Sequence, residues 1–330
     1  MIDNYCRDIN YLRISITDRC NLRCRYCMPK EGLSLLGHND VLRYEEILRV
    51  VRIAVRLGIR KVRITGGEPL VRKGLIDFVS VINKIDGLDD VSLTTNGVLL
   101  ADYAERLFAA GMRRINISLD SLNADKYCHI TRGGRMNAVI AGIERADAVG
   151  FSPIKINVVA MKGFNDDEIL DFARLTLDKP YEVRFIELMP FSQPGRDGLG
   201  QYLSNDTVRY EIEQHYALEE LAGSGGKTHG PAQMYRVVNG AGQIGFISPM
   251  SHHFCHECNR LRLTAEGHLR ACLLSDAETD LKASLRMGCT DDVIESLLKE
   301  VIMRKPLSHD IAADMPERRK CARTMTAIGG

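Results

Sequence analysis

The sequence predicts an α/β fold: an incomplete (βα)6 TIM-type barrel followed by a C-terminal extension. Three observations lead there. Short apolar segments alternate with amphipathic helical patterns, which argues for a parallel sheet with right-handed crossovers. Six of these segments read as strands, at 10–16, 60–65, 90–95, 113–118, 154–160 and 181–187. Within them apolar residues alternate with polar ones, whereas parallel strands buried on both faces read apolar throughout. A sheet curved around a polar lumen satisfies both patterns, and six strands form an arc wider than the packed interior of an eight-stranded barrel.

The first strand alternates Leu12, Ile14 and Ile16 with Arg13, Ser15 and Thr17. A helix over 44–57 gathers Ile47, Leu48, Val51, Ala54 and Val55 on one face. The second strand sets Val62 and Ile64 against Lys61, Arg63 and Thr65, and the fourth sets Ile115, Ile117 and Leu119 against Asn116, Ser118 and Asp120. Val139, Ile140, Ile143 and Ala146 share a face of 137–149. In the fifth strand Ile154, Ile156 and Val158 alternate with Lys155 and Asn157, and Asn165 followed by Glu168 reads as a capping box opening the next helix. Lysines and arginines on a concave polar wall suit a phosphate-rich ligand.

Beyond about residue 190 the pattern changes. Segments 192–200 and 222–231 read as Gly/Ser/Pro-rich loops, 233–238 and 243–247 as a hairpin around Gly240–Gly242, and 279–287 and 291–304 as helices. Two regions are therefore expected, 1–190 as the partial barrel and 191–330 as the C-terminal region.

The 330 residues are 45% hydrophobic, enough for one large domain with an appendage. No apolar run approaches the roughly 20 residues that span a bilayer, and the opening MIDNYCRDINYLRIS lacks the apolar core of a signal peptide. A soluble, cytoplasmic protein without a membrane partner is expected. A formal net charge of +1 argues against a uniformly basic surface for long nucleic acid.

Ten cysteines in such a chain argue for metal or redox chemistry over disulfides. Cys6, Cys128, Cys289 and Cys321 are isolated and read as small buried hydrophobes. The other six fall into two tight groups. DRCNLRCRYCMP, directly after the first strand, places Cys20, Cys24 and Cys27 at C-x-x-x-C-x-x-C spacing. Three thiolates hold three irons of a four-iron cluster and leave one iron open, or they hold a zinc ion. CHECNRLRLTAEGHLRACL places Cys255, Cys258 and Cys272 as a second incomplete set, completed as a zinc site by His252, His253 or His256, or left as a cluster with an open iron.

The first group together with TGGEPL at residues 65–70 resembles the radical S-adenosylmethionine superfamily. The ordered series DRCNLRCRYCMP, RITGGEPL, LTTNG, RRINISLD, INVV, RFIELMP, CNRLR and a terminal Gly-Gly narrows the resemblance to the GTP 3′,8-cyclase family of molybdenum cofactor biosynthesis, over essentially the whole chain. That resemblance implies two [4Fe–4S] clusters and S-adenosylmethionine as cofactors, with Cys20, Cys24 and Cys27 on the first cluster and Cys255, Cys258 and Cys272 on the second. It implies Tyr26, Gly67, Thr94, Ser118, Lys155 and Met189 around S-adenosylmethionine, and Arg13, Lys61, Arg63, Arg184, Arg260 and Arg262 around GTP. It implies that Gly329 and Gly330 enter the active site. It further implies product hand-over to a cyclic pyranopterin monophosphate synthase, an electron donor such as flavodoxin or ferredoxin, and allows a homodimer. Two features depart from the family pattern: the arginine-rich lead-in is reduced to Arg7–Asp8, and His252 and His253 have no role in it.

Overall fold

The computed structural model describes residues 1–189, 201–221, 230–309, 323 and 325–329. The expected loop at 192–200, most of that at 222–231, and both Cys321 and Gly330 lie outside the described residues.

Six strands stand where the periodicity places them: β1 (Tyr11–Ser15), β2 (Lys61–Thr65), β3 (Asp90–Thr95), β4 (Arg114–Ser118), β5 (Ile154–Lys162) and β6 (Glu182–Glu187). They pair in that order and all run parallel. Between them lie α1 (Tyr44–Arg56), α2 (Leu75–Ile82), α3 (Leu100–Ala109), α4 (Ala124–Thr131), α5 (Met136–Val149) and α6 (Ile169–Asp178). The apolar strand positions and the buried helix faces form one continuous core: Leu12, Ile14, Val62, Ile64, Ile115 and Ile117 are fully buried with Val51, Ala104 and Val139. The alternate strand positions are left for the lumen.

The chain continues through β7 (Gln201–Tyr202), α7 (Asn205–Glu213), β8 (Leu218–Glu220), β9 (Gln233–Val237), β10 (Gln243–Ile247), β11 (Arg260–Leu263), β12 (His268–Arg270), β13 (Thr279–Asp280), α8 (Leu281–Arg286), α9 (Asp291–Met303) and α10 (Met325–Ile328). The expected hairpin is β9–β10. The unexpected feature is where the C-terminal strands go. β10 pairs in parallel with β6 at one end of the arc, and β11 pairs in parallel with β1 at the other. Eight parallel strands, not six, therefore line the concave face, and the extension supplies both outer ones. The signal was present in RLRL at 260–263, which repeats the alternation of the barrel strands, with Leu261 and Leu263 buried outward.

Two local expectations are corrected. Asn165 and Glu168 do not form a capping box. Asn165 accepts from Met161 N and donates to Asp120 O at 2.7 Å, while buried Glu168 accepts from Ser121 Oγ at 2.9 Å and Leu122 N at 2.6 Å. Tertiary partners outcompete the local cap, and the pair locks the β5–α6 connection onto the loop after β4. Two of the lone cysteines are not core residues either: Cys6 and Cys128 are exposed, whereas half-buried Cys289 packs against the core. Cys6 sits in a turn at φ 63°, and Cys128 lies on an exposed position of α4. No helix is long and apolar enough to cross a membrane among the described residues.

Candidate active site

The first cysteine group is built by three consecutive strand ends. The loop after β1 carries Cys20, Cys24 and Cys27; the loop after β2 carries Gly66, Gly67 and Glu68; the loop after β3 carries Asn96. Gly67 N donates to Thr17 O at 2.7 Å and Glu68 N to Arg19 O at 2.8 Å. A Cβ on Gly67 would lie 2.3 Å from Arg19 O, and one on Gly66 would lie 2.7 Å from Thr17 O. The two glycines thus admit the backbone of the cysteine loop itself.

Glu68, which sequence reasoning passed over, is fully buried. It accepts from Leu70 N at 3.0 Å, Thr95 Oγ1 at 2.7 Å and Asn96 N at 2.7 Å. Burial pushes its carboxyl up to about 7, against those three bonds. One acid in an otherwise apolar and glycine-rich TGGEPL was the available signal for it. Asn96 in turn donates to Asn21 Oδ1 at 2.7 Å and toward Cys20 Sγ at 3.8 Å. Tyr26 donates to Asp120 Oδ2 at 2.7 Å, which fixes its ring; burial raises Asp120 to about 6 despite that bond and one from Val159 N at 2.9 Å.

Burial raises the Cys20 thiol to about 11, and it raises Cys24 and Cys27 further, with the neighbouring thiols and Asp120 adding to the effect. Such thiols become thiolates when a metal takes the proton's place. At the second group burial raises Cys255. Burial also opposes ionisation of Cys258, but the charges of Arg260 and Lys305 outweigh it and bring the thiol down to about 6.

The spacing of the thiols discriminates between metals. A single zinc ion at about 2.3 Å from each sulfur requires all sulfurs within about 4.6 Å of one another. Among the described residues the only three-membered His/Cys/Asp/Glu group with ligand atoms within 4.8 Å of one another is Glu266, His268 and Glu278. Neither cysteine triplet is that compact, a spacing compatible with a multi-iron cluster. Glu266 and Glu278 are themselves engaged by Arg323, the latter at 2.8 Å.

Both groups line one cavity of about 320 Å³ inside the arc. Between them the wall is basic. The register places Arg262, Arg13 and Arg63 side by side across β11, β1 and β2, with Arg260, Tyr11 and Lys61 in the adjacent row. Loss of water and the like charges of Arg63 and Arg260 lower Arg13 to about 9, and burial, Arg13 and Arg260 lower Arg262 strongly. Arg63 Nε has no hydrogen-bond partner among the described residues. Crowded cations in a concave wall mark an anion site.

On the opposite wall Lys155 and Arg184 share the Glu182 carboxylate, each at 2.7 Å. Burial and Arg184 lower Lys155 to about 7, with Glu182 opposing. Gly67, Thr94, Ser118 and Met189 also line the cavity, and Thr94 Oγ1 is buried without a partner among the described residues. Every cysteine, cation and cofactor-side residue singled out from the sequence, Tyr26 included, thus faces this one space. Asp120 and Asn157, which the alternation puts on the polar face, line it as well, and so does Arg114, which sequence reading passed over.

The described part of the tail is here too. Ile328 is buried with Met250 and Leu274, and Gly329 O accepts from Arg262 Nη1 at 3.0 Å. Gly329 has φ 71°, and a Cβ on it would lie 2.9 Å from Ser15 Cβ. Of the two histidines left without a role, His252 meets Asp206 at 2.8 Å on the surface, and His253 meets His309, a cavity-lining residue, at 2.9 Å.

A parallel α/β arc with three cysteines on the loop after its first strand, backed by a glycine pair after its second, defines a radical S-adenosylmethionine enzyme. Residues 14–176 match the family model of the radical SAM superfamily, and residues 181–311 match that described as Molybdenum Cofactor Synthesis C. At the level of fold the chain is similar to Streptococcus suis SuiB, with a TM-score of 0.60 at 14% identity over 91% of this chain and 67% of that one. The chain belongs to the GTP 3′,8-cyclase family: it is 48% identical to the GTP 3′,8-cyclase of Alkaliphilus oremlandii over the full length of both chains, and 49% identical to that of Heliobacterium modesticaldum, again over the full length of both. A [4Fe–4S] cluster and S-adenosylmethionine come with membership of the superfamily.

One consequence concerns Gly67. Replacing it with Ala drives a methyl into Arg19 O and displaces the cysteine loop. The expected result is loss of most of the iron at the first site and a fall in S-adenosylmethionine cleavage of roughly a hundredfold, with secondary structure retained by circular dichroism. Normal iron content and cleavage would contradict the close approach.

Proposed function

We propose that this chain converts GTP to (8S)-3′,8-cyclo-7,8-dihydroguanosine 5′-triphosphate, the first step of molybdenum cofactor biosynthesis. A single observation supports this most strongly: two incomplete cysteine triplets open onto one cavity and are separated by a row of cations. Cys20, Cys24 and Cys27 would hold a [4Fe–4S] cluster that, with S-adenosylmethionine bound, would supply the one-electron, radical chemistry needed to remove the ribose 3′ hydrogen. The remaining work belongs to side chains of this chain. Tyr26, held by Asp120, and Gly67, Thr94, Ser118, Lys155 and Met189 form the S-adenosylmethionine side. Arg13, Arg63 and Arg262, with Lys61, Arg184 and Arg260, hold the triphosphate. Cys255, Cys258 and Cys272 would hold a second [4Fe–4S] cluster, which would offer a Lewis-acidic site for the guanine base. Gly329 completes the wall near Ser15 and Arg262, and Gly330 is assigned a part in the same site. We assign 1–190 to the barrel region and 191–330 to the region bearing the second cluster. An external donor such as flavodoxin or ferredoxin supplies electrons, and a cyclic pyranopterin monophosphate synthase takes the product, in the cytoplasm.

The test is anaerobic incubation of the iron-reconstituted protein with S-adenosylmethionine, a reductant and either GTP or ATP. Formation of 5′-deoxyadenosine and the cyclised nucleotide with GTP and not with ATP is expected; neither product with GTP would refute the reading.

The cation row carries its own expectation. Like charges that raise one another's free energy without a ligand are relieved when an anion binds. Arg13→Gln is therefore expected to raise the melting temperature of the nucleotide-free protein by about 2 °C or more. The same change should weaken GTP roughly ten- to hundredfold, the loss of a charged hydrogen-bond partner. A lower melting temperature with unchanged GTP affinity would show that Arg13 is structural.

A further inference from the structure

Lys305 lies just after α9 and is 3% exposed, yet among the described residues no carboxylate pairs with it. Its ammonium donates to Arg260 O at 2.9 Å and to Ala271 O at 2.5 Å. The first carbonyl lies two residues beyond Cys258, and the second immediately precedes Cys272. One buried side chain therefore ties together the two separate segments that carry these cysteines. The third is held from the other side. Buried Arg7, paired with Asp3 at 2.6 Å, donates to Cys255 O at 2.8 Å and to Pro306 O at 2.9 Å. The shortened lead-in before β1 thus closes the same clamp.

Arg7 has its counter-charge in Asp3. Lys305 has none among the described residues, and a buried ammonium without one is strongly disfavoured. Burial lowers its pKa, and the groups that oppose this are Cys258 and Cys272. Three thiolates around a four-iron cluster carry net negative charge, which grows on reduction. A fixed cation beside them favours the reduced form.

We propose that Lys305 is a positioning residue for the second cysteine group: it binds the Cys258 and Cys272 segments to each other and raises the reduction potential of the cluster they hold. This rests on reading that group as a cluster site. Lys305 does not touch substrate; it acts through the ligands.

The test uses the full chain with Cys20, Cys24 and Cys27 replaced by Ala, so that iron is held at the second group alone. Iron is counted after anaerobic reconstitution, and the cluster is titrated with reductant while its electron paramagnetic resonance signal is followed. Lys305→Met is expected to lower the reduced-to-oxidised ratio at least tenfold at the parent's midpoint, equivalent to about 59 mV for one electron. Lys305→Arg is expected to stay within about twofold of the parent. Lys305→Gln, which still donates to both carbonyls, carries the measurement if the Met variant does not fold, and should show the same shift. An unchanged ratio in Met or Gln overturns the proposal, and so does failure of both to fold, because the residue is then a structural tie only. If the parent itself binds zinc and no iron, the cluster reading fails instead; the tie is then read from zinc retention, where no loss in Lys305→Met overturns it.

Discussion

Replacing Cys255, Cys258 and Cys272 with Ala is expected to halve the iron of the reconstituted protein, from about eight to about four per chain, and to abolish the cyclised product. Cleavage of S-adenosylmethionine should persist, because Cys20, Cys24 and Cys27 are held by loops after β1, β2 and β3 that owe nothing to the second group. The converse replacement of the first three cysteines should abolish cleavage and product together. Two assays, iron with labile sulfide and 5′-deoxyadenosine by chromatography, separate these outcomes. Retention of all the iron in the first variant, or stoichiometric zinc at the second group of the native chain, would remove the second cluster from the mechanism.

The tail should be as sensitive. Gly329 occupies the left-handed region, which an L side chain tolerates poorly, and a Cβ there would press on Ser15 and Thr65. Gly329→Ala is expected to cost about a hundredfold in cyclisation, the scale of a misplacement near 1 Å. Both clusters and GTP affinity should stay largely intact, since the change adds one methyl and removes no cysteine and no cation. Removing its anchor should act the same way more weakly: Arg323 grips Glu266 and Glu278 in the connections on either side of β12, upstream of buried Ile328. Single-turnover assays with GTP binding measured in parallel decide it. Normal turnover by Gly329→Ala, or by a chain extended beyond Gly330, would show that the tail is not part of the active wall.

The readings that succeeded from sequence share a physical basis. Period-two alternation in segments such as LRIS and KVRIT reports a strand with one wet face whatever the rest of the chain does, because side chains of a pleated strand alternate by geometry. The strands at 61–65 and 154–162 could therefore be located, and Arg13, Lys61, Arg63 and Lys155 assigned to the lumen, without knowing their neighbours. Spacing in C-x-x-x-C-x-x-C is similarly local, since one loop presents all three thiols.

What depended on distant partners was not legible. Asn165 and Glu168 have the spacing of a capping box, but Asp120, Ser121 and Leu122 offer them better bonds, and only the folded chain brings those within reach. Glu68 was hidden because its three donors come from two different loops. Lys305 was hidden because a lysine near a helix end is ordinarily solvated, and nothing local says that Arg260 O and Ala271 O enclose it.

By itself, then, the sequence determined the α/β class, the six barrel strands and their polar face, the two cysteine triplets and the family; each is encoded in residues close together in the chain. The tertiary structure alone decided that β10 and β11 flank β6 and β1, and that both triplets open onto one cavity. It also decided that Gly329 reaches Arg262 across 67 residues of chain. Sheet edges pair with whatever strand presents matching hydrogen bonds and a buried apolar face, and loop closure costs rise only slowly with chain length. Strands separated by some 200 residues can therefore be neighbours, and no local pattern announces which ones will be.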